Sequence, residues 1–192
     1  MKSFLVLGVL FLSTSFISAQ ETTVKPQADQ EIINSNLNKS NYTISVGVNV
    51  IDNGRSKLPF NAEAMAFKTP FFIAVERRFE SKWSVVLGAS TNRLIVGSEE
   101  KCYVSIDTGG QFYFGDYIFN TEKIEMYAGL GLGRYFLENN GNNTLNIIGG
   151  GRYWFSDHFG VNIQGNGKVG LSPINDSIRN LFQYNLGVVW RN

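Results

Sequence analysis

Six charged residues, Glu76, Arg78, Asp107, Glu125, Arg152 and Lys168, carry the chemistry this sequence most clearly offers. Each lies on the polar side of a segment whose neighbours alternate apolar and polar, so all six point into one interior if those segments are strands. Three of each sign is what a water-poor interior requires, because an unpaired buried charge costs several kcal/mol. Glu76 and Arg152 each lie four residues before a short turn, in the second and sixth of eight such segments. Those segments stand opposite each other in an eight-membered ring, which places the two as a charge pair across its lumen. Such a pair acts either as a gate that switches partners or as a fixed plug. An eight-stranded ring is only wide enough for side chains to fill, and Tyr113, Tyr127, Tyr135 and Trp154 also face inward, which favours the plug.

Other chemistry has little to work with. Cys102 and His158 are the only residues of their kinds, which excludes an internal disulfide and leaves no Cys/His cluster of zinc spacing. Cys102 reads as a buried or lipid-facing thiol. His158 falls in the turn Ser156-Asp157-His158, with no nucleophile and orienting acid beside it, so no catalytic residues are assigned and the chain is expected not to be an enzyme. Gly165, Gly167 and Gly170 match the dinucleotide spacing G-x-G-x-x-G, but they sit inside an alternating segment with no helix after it. No cofactor and no metal site follows from the sequence.

The elements that must hold these residues are strands. The chain has 192 residues, with 20 glycines, 15 phenylalanines and only 4 prolines, and its formal net charge of +1 offers no basic field for nucleic acid. Lys2, the apolar run from Phe4 to Ile17 and then Ser18, Ala19 and Gln20 read as a signal peptide over 1–19, too short to span a membrane as a helix. No cysteine follows directly, which disfavours a lipoprotein. A polar lead-in over 20–40 precedes the folded domain, 41–192.

From Tyr42 the alternation hardly stops. Tyr42, Ile44, Val46, Val48 and Val50 share one face; Phe71, Ile73 and Val75, then Trp83, Val85 and Leu87, continue it. Val104 and Ile106, Leu130 and Leu132, Leu145 and Ile147, Val161 and Ile163, and finally Phe182, Tyr184, Leu186, Val188 and Trp190 complete eight segments. An even number lets the last strand pair with the first and remove both edges. A soluble lipocalin-type barrel has the same pattern turned inside out. Two features favour a membrane. Tyr42, Phe79, Trp83, Phe114, Phe155, Phe159 and Trp190 fall at one end on the apolar face, as an interfacial aromatic girdle on the periplasmic side. Short turns at 80–82 and 156–158 lie at that end, while longer loops are expected after the first, fifth and seventh strands, the fifth at 139–143, with a further link near 97–101. The connection 115–123 is longer than this scheme expects. The fold class is therefore all-β, an eight-stranded antiparallel up-and-down transmembrane β-barrel.

The segments Gly149-Gly-Gly-Arg-Tyr-Trp-Phe155 and Phe182-Gln-Tyr-Asn-Leu-Gly187 give the region from Tyr42 to Trp190 its resemblance to the small outer-membrane barrels of the OmpA and OmpX type. The resemblance implies a barrel domain without a peptidoglycan-binding domain, and Arg191 and Asn192 after Trp190 depart from the aromatic ending usual in that class. It also implies outer-membrane lipids and the outer-membrane assembly machinery as partners, and a place in the outer membrane of a Gram-negative cell. The expected role is structural or surface-interactive, with Arg55, Lys57, Phe60, Met65, Phe67 and Lys68 of the first loop available to an external partner that the sequence does not name. The alternatives are a narrow channel for ions or small solutes and a soluble periplasmic ligand-binding barrel.

Overall fold

The structure is a computed structural model that describes residues 42–52, 65–79, 82–96, 99–171 and 180–192. The expectations for 1–19 and 20–40, and for Arg55, Lys57 and Phe60, fall outside the described residues.

Period-two alternation produces the strands β1 (Tyr42–Asp52), β2 (Met65–Ala66), β3 (Phe71–Arg78), β4 (Trp83–Val96), β5 (Glu99–Tyr113), β6 (Ile124–Leu137), β7 (Asn140–Trp154), β8 (Phe159–Gly170) and β9 (Asn180–Arg191). β2 and β3 are one strand interrupted. Both pair with β1, Ile51 opposite Ala66 and Gly47 opposite Phe72, so five residues on one side span three on the other. Pro70 lies in that excess, and a proline cannot donate to the ladder, so the strand breaks there. Each strand pairs antiparallel with the next, and β9 returns to β1 from Thr43 opposite Arg191 to Asp52 opposite Phe182. The result is a closed eight-stranded antiparallel barrel.

Its faces are inverted relative to a soluble barrel. Leu87, Leu130, Ile147 and Ile163 stand exposed on the outside, while Asn49, Glu76, Asn146, Arg152 and Lys168 are buried within. Polar-in and apolar-out is stable only where the outside is itself apolar. Cys102 is exposed on the outward face of β5.

Two expected connections differ from the structure. Strand replaces most of the link near 97–101 and of the loop at 139–143: β4 runs to Val96, which pairs with Glu99 at the start of β5, and β6 runs to Leu137, which pairs with Asn140 at the start of β7 in a tight hairpin. Glu138 takes the left-handed conformation that hairpin needs, at φ 54. The physical reason is that these four strands, 14 or 15 residues each, outrun the apolar slab. Beyond it neither face must be apolar, so alternation fades while the ladder continues.

The connection 115–123 has a structural account. Gly115–Tyr117 form a 3-10 turn in which Ile118 N donates to Gly115 O at 2.9 Å and Phe119 N to the same oxygen at 2.8 Å. Tyr117 reaches sideways to the β3–β4 turn, where its hydroxyl bonds Lys82 Nζ. A Cβ on Gly115 would lie 2.7 Å from Met126 N, so only glycine permits this fold-back.

Glycines differ in what a side chain in their place would meet. A Cβ at Gly47, beside the β1–β9 ladder, would meet Leu186 O at 2.1 Å, whereas outward Gly149 has nothing within 4 Å. Gly47→Ala is expected to destabilise the barrel by about 1–3 kcal/mol through backbone displacement. Gly149→Ala should be neutral or stabilising by about 0.5–1 kcal/mol. Urea titration of the heat-modifiable electrophoretic shift in refolded protein compares the two; equal losses would disprove the distinction.

Candidate functional site

The inward side chains fill the lumen in three layers. Nearest the end that holds Tyr42 and Asn192, β3 supplies Glu76 and Arg78, β5 Tyr113, β6 Glu125 and Tyr127, β7 Arg152 and β8 Asn162. The guanidinium of Arg152 is paired with the carboxylate of Glu76, and both side chains are only 3% exposed. Tyr113 braces the pair: its hydroxyl donates to Glu76 Oε1 at 2.5 Å and accepts from Arg152 Nη1 at 2.7 Å. Arg78 Nη1 donates to Glu125 Oε1 at 3.1 Å and its guanidinium lies 3.9 Å from the centre of the Tyr113 ring. Tyr127 donates to Asn162 Oδ1 at 2.8 Å. Charge-assisted bonds in a water-poor enclosure are strong and directional, so this layer is a rigid septum.

The middle layer centres on Lys168 of β8. Its ammonium donates to Asp107 Oδ2 at 2.6 Å, Ser105 Oγ at 2.9 Å and Tyr103 Oη at 3.0 Å, using all three protons. Asn146 Nδ2 donates to the other carboxylate oxygen of Asp107 at 2.8 Å. Beside it lies a cavity of about 40 Å³ with Ser90, Asp107, Gln164, Asn166, Gln183 and Asn185 in its wall. That volume accommodates water and little else.

The third layer is apolar. Ile51, Ala66, Leu94, Tyr103, Tyr135 and Leu181 cluster across the far end of the lumen with Leu137 against them, and the Tyr103 and Tyr135 rings stack with centroids 5.8 Å apart. Asn92 ties this layer to the wall, donating to Asn49 Oδ1 and Ala66 O, each at 3.0 Å. Of this layer, sequence reasoning placed only Tyr135 inward. Ile51 and Leu181 each adjoin an outward apolar residue, Val50 and Phe182, so alternation gives no sign of an inward apolar set.

The six charges singled out in the sequence thus stand in two groups: Glu76, Arg78, Glu125 and Arg152 together, and Asp107 with Lys168 about one layer away. Another inward charge was missed. Arg191 turns inward, its guanidinium 4.2 Å from the Trp154 ring and 3.9 Å from Glu125 Oε1, while its Nε donates to Asp157 O at 2.6 Å. Its position next to outward Trp190 was the available signal. The first layer therefore holds three arginines and two glutamates.

Of the aromatics placed at the same end, Tyr42, Phe79, Trp83, Phe155, Phe159 and Trp190 are exposed, and Phe114 is half-buried just past the end of β5. Phe112 joins them, its ring centroid 4.9 Å from that of Trp83. His158 lies in the turn before β8 with Nδ1 3.1 Å from Arg191 O. Met65 lies in β2, Phe67 is exposed, and Lys68 pairs with Glu100.

No protein-family model and no curated protein matches the chain. Solved structures do. The N-terminal β-barrel domain of Pseudomonas aeruginosa OprF is 15% identical, with 80% of this chain and 99% of that chain covered at a TM-score of 0.53. Neisserial surface protein A is 11% identical over 78% and 94% of the two chains, at 0.52. The outer membrane protein OprG from Pseudomonas aeruginosa is 14% identical over 80% and 97%, at 0.52. With a closed eight-strand ring, a polar filled interior and an apolar exterior, this chain has the fold of the small outer-membrane β-barrels of the OmpA and OmpX type.

Proposed function

We propose that this protein is a non-enzymatic outer-membrane barrel of a Gram-negative cell, exported by the signal at 1–19, whose lumen is closed and whose role in the envelope is structural or exerted through its surface. The outer-membrane lipids and the assembly machinery are its partners in that reading. One observation carries it: two separate layers, the Glu76–Arg152 septum and the Tyr103–Tyr135 apolar cluster, block the interior on either side of a cavity of about 40 Å³. A pore would need both to yield.

The test is conductance of the refolded protein in a planar bilayer, with insertion verified separately. An inserted protein that stays silent is expected; discrete openings in the unmodified protein would overturn the closed reading. The channel alternative has one favourable feature, since Glu125 Oε2 lies 3.8 Å from Arg152 Nη1 and offers that guanidinium a second carboxylate. Openings whose frequency changes in Glu76→Ala would favour it.

A further inference from the structure

Outward strand positions are almost free of charge. Among the described residues, the charged ones exposed at outward strand positions are Arg77, Arg93, Glu100 and Arg134; Asp52, which pairs with Phe182 and so shares its face, is buried. Arg77 is at the end that holds Tyr42 and Asn192, its guanidinium 5.7 Å from the Tyr42 ring centre and 5.5 Å from that of Phe79. The other three stand toward the opposite end. Arg93 on β4 and Arg134 on β6 flank β5, and each lies about ten residues along its strand from the aromatic end, a rise of about 25 Å for a tilted strand, where the apolar band of such a barrel stops.

Neither arginine is well neutralised by the protein. Among the described residues Arg134 meets no carboxylate; its Nη1 donates to Asn143 Oδ1 at 3.1 Å, and its guanidinium lies 5.2 Å from the Phe136 ring. Arg93 Nη1 is 3.8 Å from Glu100 Oε2, and the other oxygen of that carboxylate is taken by Lys68. Directly beneath, on the same arc, Val104, Ile106, Leu130, Leu132 and Leu145 present an exposed apolar face. On the other side of the barrel, outward Val169, Leu171 and Phe182 at this level carry no charge.

Exposed guanidinium above exposed hydrocarbon matches a molecule with a phosphate above acyl chains, since arginine binds phosphate through two parallel N–H bonds. We propose that the β4–β6 arc of this rim binds a phosphorylated lipid of the facing leaflet, with Arg93 and Arg134 on its phosphate groups and its chains against Val104, Ile106, Leu130 and Leu132. This rests on the reading of the chain as a membrane-inserted barrel.

The experiment uses the full chain refolded into phosphatidylcholine nanodiscs, with lipid A or the same lipid dephosphorylated added and retention read by native mass spectrometry. Preference for the phosphorylated form is expected to be on the order of ten-fold and to fall several-fold in Arg93→Gln and in Arg134→Gln, with Arg77→Gln unchanged. Equal retention of the two lipids, or a preference indifferent to Arg93→Gln and Arg134→Gln, would overturn the proposal. Protease protection and the heat-modifiable gel shift are read on the same samples. A chain that fails to insert overturns the membrane reading itself, whereas an inserted chain blind to phosphate overturns only the lipid site.

Discussion

Glu76→Ala is expected to lower the unfolding free energy of the barrel by about 3–5 kcal/mol, the usual cost of stranding one member of a buried ion pair. The substitution leaves the guanidinium of Arg152, only 3% exposed, without its carboxylate. Tyr113 loses the acceptor of its 2.5 Å hydrogen bond at the same time. Glu125, 3.8 Å from Arg152 Nη1, already serves Arg78 and does not replace what is lost. Glu76→Leu combined with Arg152→Leu removes both charges and should come closer to the parent than Glu76→Ala alone, because no uncompensated charge remains. Urea titrations of tryptophan fluorescence in lipid vesicles, run to equilibrium from both directions, give the three values. A Glu76→Ala loss below about 1 kcal/mol would mean that water reaches the pair and that the septum is not dry.

Ile147→Lys is expected to cost about 2–4 kcal/mol, whereas Leu171→Lys should cost only about 0–1 kcal/mol. The two residues are equally exposed, at 57% each, so burial within the protein cannot separate them. Depth does. Ile147 stands midway along β7, opposite Leu130 of β6 and Gly167 of β8, while Leu171 lies just past the end of β8. A lysine at the first site must carry its ammonium through the centre of the hydrocarbon; at the second it reaches headgroups at once. The same vesicle titrations serve. Equal costs at the two sites would show that the outward face is not graded by membrane depth.

The strands and their faces are legible in the sequence because two solvents act on them. Val104 and Ile106 meet lipid and Ser105 and Asp107 do not, so period two survives in every strand that crosses the slab. Where the slab ends the signal ends as well. Glu99, Glu100 and Lys101 are a strand with no apolar member, which is why a link near 97–101 was expected where β5 begins at Glu99. Alternation tells which charges face inward. Together with the ring order it also sets Glu76 against Arg152, but it does not tell that Lys168 meets Asp107, since that meeting depends on stagger between strands far apart in the chain. The rest of the apolar layer around Tyr135, namely Ile51, Leu94, Tyr103 and Leu181, was hidden for the opposite reason, as inward hydrophobic residues violate the very pattern used to find the wall.

The ladder between β1 and β9 differs from every other in the ring. All the rest join neighbours in sequence, but this one joins the first and last described strands over ten registered pairs. Local hairpins zip quickly because closing a short loop costs little entropy, whereas this seam waits until all the intervening strands are in place. Before it locks, the curled sheet has two bare edges of unpaired amides and carbonyls, and each accepts a strand from any source. Refolding is thus a race between closure, which is first order, and encounter with another unfinished chain, which is second order. Dilution favours the monomeric barrel, and crowding of half-made barrels favours strand exchange between molecules.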